Sequence, residues 1–112
     1  MSDATEEVEV GAIVSRIGLL FERAHTSASP PAAAELEGAL ADGYACLLAL
    51  EADRARIARR SAELFGSGDA VRSAARELRS LNALLLARDL DMLRLRAVLE
   101  ELRDYVAETA LA

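Results

Sequence analysis

Apolar residues recur in alternating steps of three and four on both sides of the turn Gly66-Ser67-Gly68-Asp69. Upstream the positions are Leu36, Leu40, Gly43, Leu47, Leu50, Arg54, Ile57, Ser61 and Leu64. Downstream they are Val71, Ala74, Leu78, Leu81, Leu85, Arg88, Met92, Leu95, Leu99, Leu102 and Val106. A 3.5-residue repeat keeps one stripe of a helix facing a partner, so each arm reads as a helix lying along another helix. Folding at Gly66 sets Leu64 against Val71, Ile57 against Leu78, Leu50 against Leu85, Leu47 against Arg88, Gly43 against Met92 and Leu36 against Leu99. The repeats predict an all-α chain built on a long antiparallel helical hairpin.

Three helices account for the chain as a single domain over 1–112. The first is expected over about 4–25, the second over about 31–65 and the third over about 69–110, with the turn at 66–69. Asp3 with Glu6 three residues on fits a capping box, and the early glutamates suit the positive end of a helix dipole. The first helix carries Val10, Ile13, Ile17, Leu20, Phe21 and Ala24 on one stripe, with Gly11, Ser15 and Gly18 as a strip of small residues beside it. Those glycines fit either a close helix crossing, within the chain or between subunits, or simple tolerance. In the linker TSASPP, Ser29 is the expected N-cap, with Pro30 at the first helical position. Gly66 is the expected C′ residue of the second helix, and Ser67 or Asp69 the cap of the third.

Length then sets the architecture. At 1.5 Å per residue the helices span roughly 33, 52 and 63 Å, and the short linker returns the first helix along the second. The expectation is a three-helix up-down-up bundle whose first helix packs on the open end of the hairpin and leaves the tip uncovered. The third helix also carries Leu86, Leu90 and Leu93 off its seam, and the second carries Tyr44, Leu48 and Phe65. One short helix covers at most one of these stripes. An uncovered leucine stripe marks an interface, so the six residues are candidate contacts for self-association.

Charge is unevenly placed. The net charge is −6, yet seven of the 13 arginines fall between residues 54 and 79. Arg56, Arg59, Arg60, Arg72, Arg76 and Arg79 form a candidate basic tip on an otherwise acidic rod. A solvated face with local pairs such as Arg59 with Glu63 explains such a tip, as does an antiparallel dimer that lays each tip on its partner's acidic end. Nucleic-acid contact is the third reading, weakened by the acidic remainder and by the lack of stacking aromatics near the tip other than Phe65. Arg54 and Arg88 occupy seam positions, where the expectation is snorkelling or local pairing with Glu51 and Asp91 in preference to a ligand role, with an interior pair that fixes register as the alternative.

Nothing in the chain reads as catalytic. His25 is the lone histidine and ends the first helix, so a bundle-type metal site has no second histidine. Gly66-Ser67-Gly68 is a turn without the lysine or preceding strand of a phosphate loop. No cofactor is implied. The lone Cys46 fits a reduced, cytoplasmic chain, the acidic N-terminus is unlike a signal peptide, and no uncharged run is long enough to span a membrane. The expected function is a non-enzymatic helical protein–protein interaction module, an adaptor, scaffold or assembly factor. Its expected partner is a second copy of itself, or another helical protein. The alternative is a chaperone-like protein that holds a client's amphipathic helix in an open groove.

Overall fold

In the computed structural model, α1 spans Ser2–Thr26, α2 Ala33–Ser67 and α3 Val71–Leu111. Residues 2–26, 29–67 and 71–111 are described, with side chains over 10–26, 29–66 and 72–110. The described residues form three helices and no strand, and α2 and α3 pack together more closely than either does with α1. The particle measures 63 × 21 × 17 Å, the rod that two long helices dictate.

Both ends of α2 depart from the sequence expectation. Its first intrahelical carbonyl belongs to Ala32, which accepts from the Leu36 amide at 3.2 Å, so the helix starts after both prolines and not at a Ser29 cap. A residue before proline is driven from the helical region, and Ser29 and Pro30 are both such residues. At the other end Gly66 remains helical and α2 closes on Ser67. Asp69 and the side chains of Asp3 and Glu6 lie outside the described residues.

The hairpin is antiparallel, but its register is not the expected one. Arg60 pairs with Glu77, Arg54 with Asp89, Asp53 with Arg88 and Glu51 with Arg96, so partners descend α2 as they climb α3. Farther down, Gly43 faces Leu99 and not Met92. The seam has slid by about one heptad. A heptad repeat permits this, because a seven-residue shift still lays apolar on apolar.

Gly43 marks the closest approach of the two long helices. A Cβ added there would overlap Leu99 Cδ2 and lie 3.3 Å from Leu99 Cγ, and Leu99 is buried in the core. Gly43→Ala is therefore expected to lower stability by about 1 kcal/mol. Overpacking costs about 1–3 kcal/mol, and alanine's helix propensity returns only about 1. A urea midpoint checks it; a rise would mean that Leu99 yields freely.

The core sits at the open end. Val10, Ile17 and Leu20 of α1 close over Leu36, Ala39, Cys46, Leu47 and Leu50 of α2 and Met92, Leu95, Leu99 and Leu102 of α3. Beyond Asp53 the only buried apolar residue among those described in the tip is Ile57, which stands outside this core. Two helices meeting along one stripe bury little, as expected of a tip that α1 does not reach.

Candidate interaction surface

The arrangement of charge between α2 and α3 explains the chosen register. Arg88 is fully buried, and its Nε donates to Asp53 Oδ2 at 2.7 Å. Arg56 reaches the other Asp53 oxygen at 3.1 Å, and Asp91 lies 4.0 Å from Arg88 Nη1. Arg88 is thus an interior pair across the hairpin, beyond the local pairing expected of it. Arg54, half-buried, pairs across the hairpin with Asp89 at 2.5 Å and not with Glu51, which takes Arg96 at 3.0 Å. Sequence reasoning missed Asp53 and Asp89, although the signal was present. Asp53-Arg54 and Arg88-Asp89 are mirrored dipeptides, and an antiparallel hairpin crosses them into two ion pairs.

The Arg54–Asp89 pair also shifts titration. The hydrogen bond from Arg54 is the main cause that lowers the Asp89 carboxyl below its ordinary range, against partial desolvation and with help from the Arg54 and Arg96 charges. The same bond raises Arg54, and Glu77 raises Arg60 likewise. A carboxyl depressed in the folded state adds stability above its unfolded pKa and loses it as pH falls through the folded value. Asp89→Asn is therefore expected to be slightly less stable than the parent at neutral pH, the gap closing as acid takes the pH below the ordinary carboxylate range. Parallel urea titrations at neutral and acid pH check this; a gap that widened in acid would contradict it.

At the tip, Arg60 holds Glu77 at 3.0 Å and Glu63 at 3.6 Å, taking the glutamate expected to pair with Arg59. Arg56 is engaged with Asp53. Among the described residues Arg59, Arg72, Arg76 and Arg79 are exposed and have no ion-pair partner. Among the described residues the basic tip therefore divides into Arg56 and Arg60, which are paired, and Arg59 with the three arginines of α3, which are not.

The apolar stripes are exposed: Leu86 by 62%, Leu90 by 57%, Leu93 by 66% and Leu48 by 66%, with Tyr44 at 38% and Phe65 at 79%. At most one stripe could lie beneath α1, and it covers neither of them. α1 shares the core with Ala39 and Cys46 of α2, and Val98 and Tyr105 of α3 pack against that core. The charged flank of α1 pins its position through Arg16–Asp42 at 2.6 Å and Arg23–Glu35 at 2.7 Å. Phe21 and His25 stand edge-on to Tyr105, with centroids 5.9 and 6.5 Å away.

The two stripes are not one surface. Side chains advance about 100° per residue, which points Leu86, Leu90 and Leu93 away from α2, nearly opposite the α3 seam. Tyr44 and Leu48 lie on the α2 flank remote from α1. The charged pairs Arg54–Asp89 and Glu51–Arg96 run between the two stripes. Phe65 stands alone near the tip, and Leu19, 61% exposed on α1, was not foreseen.

Among the described residues no helix is long and apolar enough to cross a membrane, and no cluster of three His, Cys, Asp or Glu residues is placed to hold a metal ion. Comparison with known families, curated proteins and solved structures returns no match.

Proposed function

We propose that this chain is a non-enzymatic helical interaction module, an up-down-up three-helix bundle that works as a homodimer in an adaptor, scaffold or assembly role in the cytoplasm. The observation that carries the reading is the row Leu86, Leu90 and Leu93. Three large apolar side chains, each more than half exposed, lie at steps of four and three on a face of α3 that no described residue covers. Leaving such a row in water forgoes roughly 1.5–3 kcal/mol for each leucine that a partner would bury. Light scattering over a dilution series tests it: a mass of twice the chain at micromolar concentration supports the dimer, and the mass of one chain throughout removes it.

A second reading has its own observation. Between α1 and α2 an open groove of about 470 Å³, lined by Ala12, Ser15, Arg16, Leu19, Leu20 and Arg23 with Glu35 of α2, is largely apolar. A client's amphipathic helix fits such a surface, which is the chaperone-like alternative. Under that reading Leu19→Asp abolishes binding of a helical client peptide and leaves the chain's own mass unchanged.

A further inference from the structure

The outward face of α3 is more than a leucine row. Continued toward the N-terminus in the same steps of three and four, it reads Ala83, Arg79, Arg76 and Arg72. Continued toward the C-terminus it reads Ala97, Glu101, Asp104 and Glu108. This is a second seam running the length of the helix, basic in its first third, apolar in the middle and acidic in its last third. All six charged residues are exposed, and among the described residues none takes part in an ion pair, although most cross-hairpin charges on the opposite side of α3 do.

Such a stripe complements itself when reversed. The midpoint between Leu90 and Leu93 is also the midpoint between Leu86 and Ala97 and between Arg79 and Asp104. A two-fold axis there sets Leu90 on the copy's Leu93, Leu86 on its Ala97 and Arg79 on its Asp104, with Arg76 beside Glu108. A parallel pair would instead set arginines beside arginines and acids beside acids, which costs energy on both thirds.

The acidic third also has a cavity to receive a cation. Between α1 and α3 lies a groove of about 500 Å³ lined by Phe21, His25, Glu101, Asp104, Tyr105 and Glu108. On α1 its wall continues from His25 through Gly18 to Gly11 in steps of seven, along one line of the helix. A Cβ built on Gly11 or Gly18 has nothing within 4 Å, so close packing inside the chain does not explain these glycines. They leave room for a further helix to approach the α1 backbone beside the leucine row.

We infer that the occupant of this surface is α3 of a second copy, lying antiparallel in the α1–α3 groove so that its Arg76 and Arg79 enter the acidic cleft of the first copy while the first copy's arginines enter its own. The inference rests on the dimer reading and adds to it the face, the direction and the register. Two acidic clefts and two arginine rows form together, and association weakens as salt screens them.

Charge reversal separates this from dimerisation in general. One variant carries Arg72→Glu, Arg76→Glu and Arg79→Glu, a second carries Glu101→Arg, Asp104→Arg and Glu108→Arg, and a third carries all six. Dissociation constants come from sedimentation, with helicity followed by circular dichroism. Each half-reversal turns the two attractions, Arg79–Asp104 and Arg76–Glu108, into repulsions at both symmetric contacts, so the dimer is expected to weaken about 100-fold. The six-fold reversal restores complementarity and returns the constant to within a few fold of the parent. If the half-reversals dimerise like the parent, or the fully helical six-fold reversal stays monomeric, this register is wrong while the dimer stands. If the parent is a monomer at every concentration, the functional reading falls with it.

Discussion

Asp53→Ala is expected to lower the free energy of unfolding by about 3–5 kcal/mol, a large share of the stability of a small domain. The reason is what the substitution leaves behind. Arg88 is fully buried against the seam, its Nε held by Asp53 at 2.7 Å, and a guanidinium cannot shed its charge to escape. Alanine at position 53 takes away the carboxylate that Nε donates to and leaves Asp91, 4.0 Å from Nη1, as a more distant counter-charge. Arg88→Met should cost less, because the Asp53 carboxylate left behind still has Arg56 and lies nearer the surface. The pair Asp53→Leu with Arg88→Met should recover most of the loss, since a well-packed apolar pair often replaces a buried ion pair at no net cost. Denaturant unfolding of the parent, Asp53→Leu, Arg88→Met and their combination gives the coupling directly. A loss below about 1 kcal/mol for Asp53→Ala would show that Arg88 is reached by water and that the pair is not holding the hairpin.

The double replacement has a second consequence, which shows what was legible in the sequence and what was not. The repeats of leucine at 3.5-residue spacing are enough to demand helices and a seam, because no other regular structure keeps Leu36, Leu50, Leu95 and Leu99 on one side. They are not enough to choose among seams seven residues apart. Counting layers outward from Gly66 selects a neighbouring register, because that count presumes that the helix ends at the glycine, and α2 continues to Ser67. The choice is made by four charged residues. Only when Asp53-Arg54 comes level with Arg88-Asp89 does the seam arginine meet a carboxylate in the interior. Removing that pair should loosen register more than it loosens the fold, a role that polar seam residues play in other helical pairs.

The position of α1 was hidden for a related reason. Its length and short linker limit how far it reaches, which correctly leaves the tip bare, but they say nothing of which groove it occupies. Two exposed ion pairs to α2 and the Phe21–Tyr105 contact settle that, and each depends on rotations about the helix axis that a repeat of apolar residues does not encode. The exposed leucines were legible as candidates because they fall off the seam. Their separation into two faces was not, because it follows from the cross-hairpin charges lying between them.

Leu90→Asp is expected to turn the proposed dimer into a monomer without unfolding the chain. Leu90 is 57% exposed in the single chain, so its loss removes little from the intramolecular core. In a two-fold assembly the same residue is counted twice. Each buried leucine is worth roughly 1.5–3 kcal/mol, and the dissociation constant should rise between about a hundredfold and ten-thousandfold, more if the carboxylate is itself desolvated. Leu48→Asp is the matching control, somewhat more exposed at 66% and on the α2 face beyond the ion pairs. Sedimentation of the two variants at one concentration reads the outcome, with circular dichroism to show that both keep their helices. Dissociation by Leu90→Asp alone places the contact on the outward face of α3. Dissociation by Leu48→Asp alone moves it to α2, where no arginine row opposes an acidic one. The charges at the two ends of α3 would then have to be explained as solvated faces, and the glycines of α1 would border a groove that no second copy enters.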